Sequence, residues 1–159
     1  MGYKELLMIL ASIVIVGVAI SASFKIFNDQ SFKSNKSSLA SEMTQYTRQL
    51  TSYWERTAEF GGAEAKNVNI TVAKLSVYLG FKQVGSNYTY TSANGEFRII
   101  SATTASGVVT VTMKALGKNK KNNKYPLVTT TIKFTQDTVA PIETFPLVIA
   151  TTLGEAATF

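Results

Sequence analysis

The chain carries an apolar, uncharged run over residues 6–24, close to its N-terminus, and a single acid, Glu5, directly precedes the run. A helix of this length measures roughly 28 Å, close to the hydrocarbon thickness of a bilayer. A carboxylate within a membrane helix costs roughly 2.5–3.5 kcal/mol at the centre and less near the end. Because of this cost, we expect Glu5 to have a cationic partner.

Three interpretations of this N-terminal segment compete. A secretory signal peptide would use Lys4 as its basic region and the small residues within 19–23 as its cleavage site. The apolar part of a signal peptide measures about 7–15 residues, and the run here is longer, which argues against that interpretation. A second interpretation is a single-pass anchor for a soluble domain. The third depends on the first nine residues.

The segment Met1-Gly2-Tyr3-Lys4-Glu5-Leu6-Leu7-Met8-Ile9 resembles the mature N-terminus of bacterial type IV pilins and type II secretion pseudopilins. In that family a glutamate stands fifth and a long apolar helix follows it.

The chain departs from the family at Tyr3 and Lys4, where apolar residues are usual, and it lacks the proline often found near Ala22. Lysines also follow the run at positions 25, 33 and 36, so charge bias alone does not place the N-terminus in the cytoplasm.

The resemblance implies a structural subunit of an extracellular type IV pilus-like filament, which is a helical homopolymer. The monomer would first reside in the inner membrane as a single-pass precursor, with a prepilin peptidase, an assembly ATPase and a platform protein as partners. In the filament, Glu5 would pair with the N-terminal amine of Met1 on the adjacent subunit, and Met1 would be the site of processing and methylation. Lys4 would pair with another subunit's Glu5 or reach lipid headgroups. The alternatives are a minor pseudopilin of a secretion system and a membrane-anchored binding module that does not assemble.

The amino-acid composition limits the catalytic and binding chemistry that the rest of the chain can perform. The chain has no cysteine and no histidine, which excludes thiolate metal sites and removes the commonest general base and metal ligand. No phosphate-binding glycine loop or suggestive acidic pair is present, so we expect neither an enzyme nor a cofactor or metal site. The net charge of +6 permits anionic partners. The basic loop 118–124 lacks aromatic residues, however, so we expect a solvated loop and no nucleic acid.

The helical pattern of the sequence continues after residue 24, but from there on only one face of the helix is apolar. Apolar residues at spacings of three and four form one stripe, which predicts a face that packs on the rest of the chain. The stripe consists of Leu39, Met43, Tyr46, Leu50, Tyr53, Trp54 and Phe60. Gly61 and Gly62 predict the end of the helix. We therefore expect one helix over residues 1–60, with a membrane span and filament core in 1–27 and an amphipathic half in 28–60.

Gly17 is the weak point of the apolar half, because glycine costs a helix about 1 kcal/mol relative to alanine. Pilins resembling this chain often unwind part of the helix on entering the filament, and here such melting would fall within residues 16–23. The alternative is that Gly17 permits close packing between helices.

The sequence pattern over residues 61–138 predicts a domain made mostly of antiparallel sheet. Residues 69–81 indicate a short helix capped by Asn69 or Thr71, and four strands follow within 88–91, 96–103, 108–116 and 127–134. Asn94-Gly95 and Ser106-Gly107 indicate hairpin turns. The predicted fold class is α+β and pilin-like. A long N-terminal helix, apolar first and amphipathic later, packs on a C-terminal antiparallel sheet of about four strands.

Residues 139–159 form an apolar C-terminal segment that contains Pro141 and Pro146. The segment is too hydrophobic for a free tail. It is either a final edge strand on its own sheet, where proline is tolerated, or a strand or clasp on a neighbouring subunit. We favour the intersubunit role.

Overall fold

The computed structural model of the chain describes residues 2–64, 70–135 and 148–159. Helix α1 spans Tyr3–Glu55 without interruption, and at 1.5 Å per residue its 53 residues measure about 80 Å. The long N-terminal helix expected from the sequence is therefore present, although it ends before residue 60.

The early end of α1 follows from a tight return of the chain over its last turn. The N–H of Ala63 donates to the carbonyl of Tyr53 at 2.9 Å. A Cβ on Gly62 would collide with the backbone of Arg56, so this approach requires glycine. The prediction that Phe60 belongs to the packed stripe is wrong, because the return leaves its side chain 75% exposed.

The rest of the stripe packs as predicted. Its buried members are Leu39, Met43, Leu50, Tyr53 and Trp54, and Tyr46 is partly buried against them. Phe32, Asn35 and Thr47 are also buried on α1, although the sequence pattern did not include them. At the far end of the stripe the ring of Trp54 stacks on Phe134, with centroids 5.1 Å apart.

Within the described residues, six strands form one antiparallel sheet in chain order. They are β1 Lys82–Val84, β2 Asn87–Thr91, β3 Gly95–Ala105, β4 Val108–Gly117, β5 Tyr125–Thr135 and β6 Val148–Ala156; a 3₁₀ turn at Ala58–Phe60 and helix α2 at Val72–Tyr78 precede them. The α+β class is confirmed, but the sheet has six strands rather than about four. The four predicted strands correspond to β2–β5, and the additional two are the edges.

Alternation along β4 shows which face of the sheet meets α1. Val109, Val111, Met113 and Ala115 are fully buried, whereas the residues between them are only partly covered. This period of two is the expected pattern for a strand with one face on a core. Helix α1 contacts β5 and β4, so it lies over this part of the sheet.

The two predicted hairpin turns have different outcomes. Ser106 and Gly107 join β3 to β4, and both have positive φ (50° and 77°), as a two-residue hairpin turn requires. The other turn is centred on Ala93 and Asn94 rather than on Asn94-Gly95, since Ser92 N–H donates to the carbonyl of Gly95 at 2.8 Å. Gly95 is needed for space instead, because a Cβ there would collide with the Leu116 carbonyl.

The helix predicted within 69–81 is α2. Of its two proposed caps, Thr71 is confirmed, because its Oγ1 accepts a hydrogen bond of 3.2 Å from the N–H of Lys74. Asn69 lies outside the described residues.

The C-terminal strand β6 pairs with β5 of its own chain, in register from Tyr125–Ala156 to Lys133–Val148. Residues 148–156 are therefore an edge strand of their own sheet. A single chain does not test the intersubunit role that we favoured, so that role stays a prediction. Residues 139–147 lie outside the described part, so the interpretation of that half stays a prediction.

Candidate functional site

The first half of α1 has no partner within the chain. Every residue from 2 to 28 is exposed. The exposed large apolar side chains include Leu6, Leu7, Ile9, Leu10, Ile13, Val14, Ile15, Val16, Val18, Ile20 and Phe24. This part of the helix is long and apolar enough to cross a membrane. Such a surface is stable only in lipid or against other protein, because soluble monomers rarely expose so large an apolar patch.

The polar side chains inside this apolar half are satisfied by the helix itself. The hydroxyl of Ser12 donates to the carbonyl of Met8 at 2.8 Å, and Ser21 donates to Gly17 at 2.9 Å. Ser23 makes the same contact four residues back, at 2.8 Å. Since none of these hydroxyls needs water, they do not prevent burial of the helix in hydrocarbon or in a protein core.

Glu5 caps the N-terminus of its own helix. Its Oε2 accepts a hydrogen bond of 3.2 Å from the N–H of Gly2, which is the N-cap residue. A glutamate at the third helical position commonly reaches back in this way, and the contact also places a negative charge at the positive end of the helix dipole. The sequence analysis missed this intrachain role, although the spacing of three residues was a sufficient signal. Met1, the predicted amine partner, lies outside the described residues.

Lys4 and Gly17, the other predicted assembly residues, lie on the open surface of α1. Lys4 is exposed in the first turn. A Cβ on Gly17 would meet nothing within 4 Å, and the helix is continuous from residue 16 to 23. This single chain does not test whether the helix melts in a filament, so melting and close packing both stay predictions.

The basic loop 118–124 is docked on α1 where the exposed half ends. Lys121 Nζ lies 3.0 Å from a carboxylate oxygen of Asp29. Asn119 Nδ2 donates to the hydroxyl of Ser31 at 2.8 Å. Within the loop, Asn122 and Asn123 have positive φ (50° and 61°) and form a tight turn. These contacts hold the loop against α1, while every residue of the loop except Lys121 is exposed, as expected for a solvated loop.

Asn35 joins α1 to both loops at this end of the sheet. Its side chain is 7% exposed. Its Nδ2 donates to the carbonyl of Asn94 at 2.8 Å, and its Oδ1 accepts from the N–H groups of Lys118 and Asn119 at 3.1 and 3.4 Å. A Cβ on Gly117 would collide with the Oδ1 of Asn35. We call Asp29, Ser31 and Asn35, with the two loops that they contact, the junction.

The described residues contain no group of three or more His, Cys, Asp or Glu side chains that could hold a metal ion. A groove of about 590 Å³ lies between the end of α1 and α2 and is lined by Tyr53, Tyr78, Gly61 and Gly62 among others.

Two tyrosines on the packed half of α1, Tyr46 and Tyr53, have a pKa that burial raises above the ordinary value. Burial, together with the nearby Tyr90 and Glu42, raises the pKa of Tyr46 to about 12. The ring packs edge-on against Phe97 and Phe81, with centroids 5.2 and 5.4 Å apart. The raised pKa of Tyr46 therefore follows from the packing of its ring against the core.

Comparison with known proteins gives no relative from which a function can be transferred. No family model matches the chain, no curated protein matches it, and no solved structure matches it. The resemblance to pilins therefore depends on residues 1–9 and on the arrangement of helix and sheet.

Proposed function

We propose that the chain is a structural subunit of an extracellular type IV pilus-like filament. One observation carries the proposal: residues 2–28 are entirely exposed, yet they continue without a break into the half of α1 that packs on the sheet. A rigid, apolar, protruding helix needs a large apolar environment. A bilayer supplies it for the monomer, and the helices of identical subunits supply it in the filament.

Leaving the bilayer changes the environment of the apolar half of α1 only slightly. Lipid tails are as apolar as leucine side chains, so transfer from lipid to a helical core gains little hydrophobic free energy. Close packing and polar contacts must then provide the specificity of assembly. In this proposal an assembly ATPase and platform protein extract the monomer after a prepilin peptidase has processed it, and Glu5 sets the axial offset between neighbours.

Glu5 has two roles in the proposal, and they occur in sequence. In the single chain its carboxylate accepts from the N–H of Gly2. In the filament the same carboxylate pairs with the N-terminal amine of Met1 on the next subunit. Removal of one partner from a buried charge pair typically costs about 3–5 kcal/mol, whereas loss of one capping contact costs only about 0.5–2 kcal/mol.

Two substitutions separate the capping role from the pairing role. Glu5→Gln keeps an oxygen acceptor for the N–H of Gly2, since glutamine also serves in a capping box, but it removes the charge. Glu5→Ala removes both. We expect both variants to insert in the membrane and to fold, and both to lose filaments in sheared extracellular material. A normal filament yield with Glu5→Gln and a low yield with Glu5→Ala would contradict the pairing role and leave capping as the role of Glu5.

A membrane-anchored module that does not assemble is the second candidate, and the capping contact of Glu5 favours it. Because Glu5 has an acceptor role within its own chain, a charged neighbour is not required to explain its presence. Such a module would stay in the membrane fraction. A minor pseudopilin would instead assemble but be scarce relative to another filament component.

A further inference from the structure

The positive charge of the chain is concentrated at one end of the sheet. Residues 25–36 of α1 and the loop 118–124, which meet at the junction, carry seven lysines and one acid, Asp29. The lysines are Lys25, Lys33, Lys36, Lys118, Lys120, Lys121 and Lys124. With Asp29 counted, the two segments carry a net charge of +6, which equals that of the whole chain. We call these seven residues the lysine collar.

The lysine collar lies just above the end of the apolar run. Lys25 directly follows Phe24, the last residue of the run. Asp29 and Ser31, which hold the loop, lie about 8 and 10 Å further along the helix axis. The polar headgroup region of a bilayer is about 5–8 Å thick on each side, and the Debye length at physiological salt is about 8 Å. Lys25, and Lys121 through its contact with Asp29, are therefore at headgroup height when α1 spans a bilayer. Lys33 lies about 14 Å beyond Phe24, within about one Debye length of the headgroup region.

Contacts within the chain hold the loop lysines at this height. Lys118 Nζ donates to the carbonyl of Ser92 at 2.7 Å, and Lys121 pairs with Asp29 at 3.0 Å. Lys120 Nζ lies over the ring of Tyr125, 4.8 Å from its centroid. Because these contacts fix the loop to α1 and to the sheet, little further ordering is needed when an anionic surface approaches.

We propose that the lysine collar binds the anionic phospholipid headgroups of the bilayer in which α1 resides. Clusters of about four to eight basic residues beside a membrane helix recognise anionic lipid in this way. The inference rests on the membrane-inserted stage of the proposed function and not on filament formation. Single-stranded nucleic acid is a poorer partner, since it needs exposed aromatic rings on which bases stack, and Lys120 covers the ring of Tyr125.

The test uses the full-length protein reconstituted in phosphatidylcholine bilayers that contain trace spin-labelled phosphatidylglycerol or spin-labelled phosphatidylcholine. The fraction of each probe that the protein immobilises is read from the electron paramagnetic resonance spectrum. We expect immobilisation of phosphatidylglycerol to be several-fold stronger than that of phosphatidylcholine, and we expect high salt to reduce the difference.

Two double variants locate the effect. Lys33→Gln with Lys124→Gln removes two exposed collar charges without touching the contacts that hold the loop, and it should lower the preference for phosphatidylglycerol. Lys82→Gln with Lys133→Gln makes the same charge change on exposed strand residues away from the junction, and it should leave the preference unchanged.

The outcomes separate this inference from the proposed function. Equal immobilisation of both lipids by the native chain, or equal effects of the two double variants, would overturn the role of the collar and leave the proposed function standing. No immobilised lipid of either kind would mean that α1 is outside the bilayer, which would overturn both.

Discussion

The side-chain amide of Asn35, on the packed half of α1, donates a hydrogen bond of 2.8 Å to the backbone carbonyl of Asn94 in the turn between β2 and β3. Asn94 in turn donates from its own side chain to Glu42, further along α1. The helix and the sheet are therefore joined by partly buried polar contacts near the point where the exposed half of α1 ends. This arrangement makes the protruding half a rigid extension of the domain.

Replacement of Asn35 should loosen the junction. Asn35→Ala leaves the carbonyl of Asn94 and the N–H of Lys118 without their partner, and we expect a loss of about 1–3 kcal/mol in the free energy of unfolding. Asn119→Ala removes an exposed amide from the same junction and should cost less. Urea unfolding followed by the fluorescence of Trp54, the single tryptophan, measures both. Equal losses would contradict the central role of Asn35.

Stability should fall at high pH because of Tyr46. Its pKa is raised to about 12 in the folded chain, so the unfolded chain loses this proton first as the pH passes about 10. Stability from this group is complete below that pH and declines as the pH rises towards the folded pKa. Tyr46→Phe cannot titrate, so its unfolding free energy should decline less from about pH 9 to about pH 11. An equally steep decline would contradict the assignment.

Two substitutions of Gly17 distinguish helix melting from close packing in the filament. Alanine favours the helix by about 1 kcal/mol over glycine, and valine is a poorer helix former than alanine. If assembly requires melting, Gly17→Ala should reduce filament yield more than Gly17→Val. If assembly requires close packing, the larger valine should be the more harmful. The native helix is open at this position, so both monomers should insert and fold normally.

The proposed function places the sheet domain outside the cytoplasm, and the absence of cysteine makes this easy to test. Ser106→Cys introduces one thiol at the turn between β3 and β4, far from the junction. A membrane-impermeant maleimide should label this variant in intact cells, and the native chain provides the unlabelled control. Labelling only after lysis would place the domain inside, as the lysines beyond the apolar run would suggest.

Periodicity was enough to predict much of the fold. The 3.6-residue stripe and the alternating strands identified α1 and β2–β5, because each pattern follows from one face of an element being buried. The two edge strands, β1 and β6, were harder to predict from the sequence. β1 is only three residues long, and the apolar pattern of residues 139–159 did not distinguish an edge strand of the same sheet from a strand or clasp on a neighbouring subunit.

Polar residues at buried helix positions were missed for a different reason. Asn35 and Thr47 continue the spacing of the apolar stripe, but a pattern that counts only apolar residues omits them. Thr47 is satisfied locally, since its hydroxyl donates to the carbonyl of Met43 at 2.8 Å. Asn35 depends on partners 59 and 83 positions away along the chain, and local pattern cannot supply such contacts. The docking of the basic loop was unpredictable for the same reason.

The central claim is that the apolar half of α1 packs against the same half of identical subunits. Negative-stain microscopy of sheared extracellular material, with an antibody against the sheet domain, tests it most directly. We expect filaments that the antibody decorates along their whole length, and a clear reduction of such filaments with Glu5→Gln. Absence of decorated filaments, with the whole chain retained as monomer in the membrane fraction, would contradict the claim.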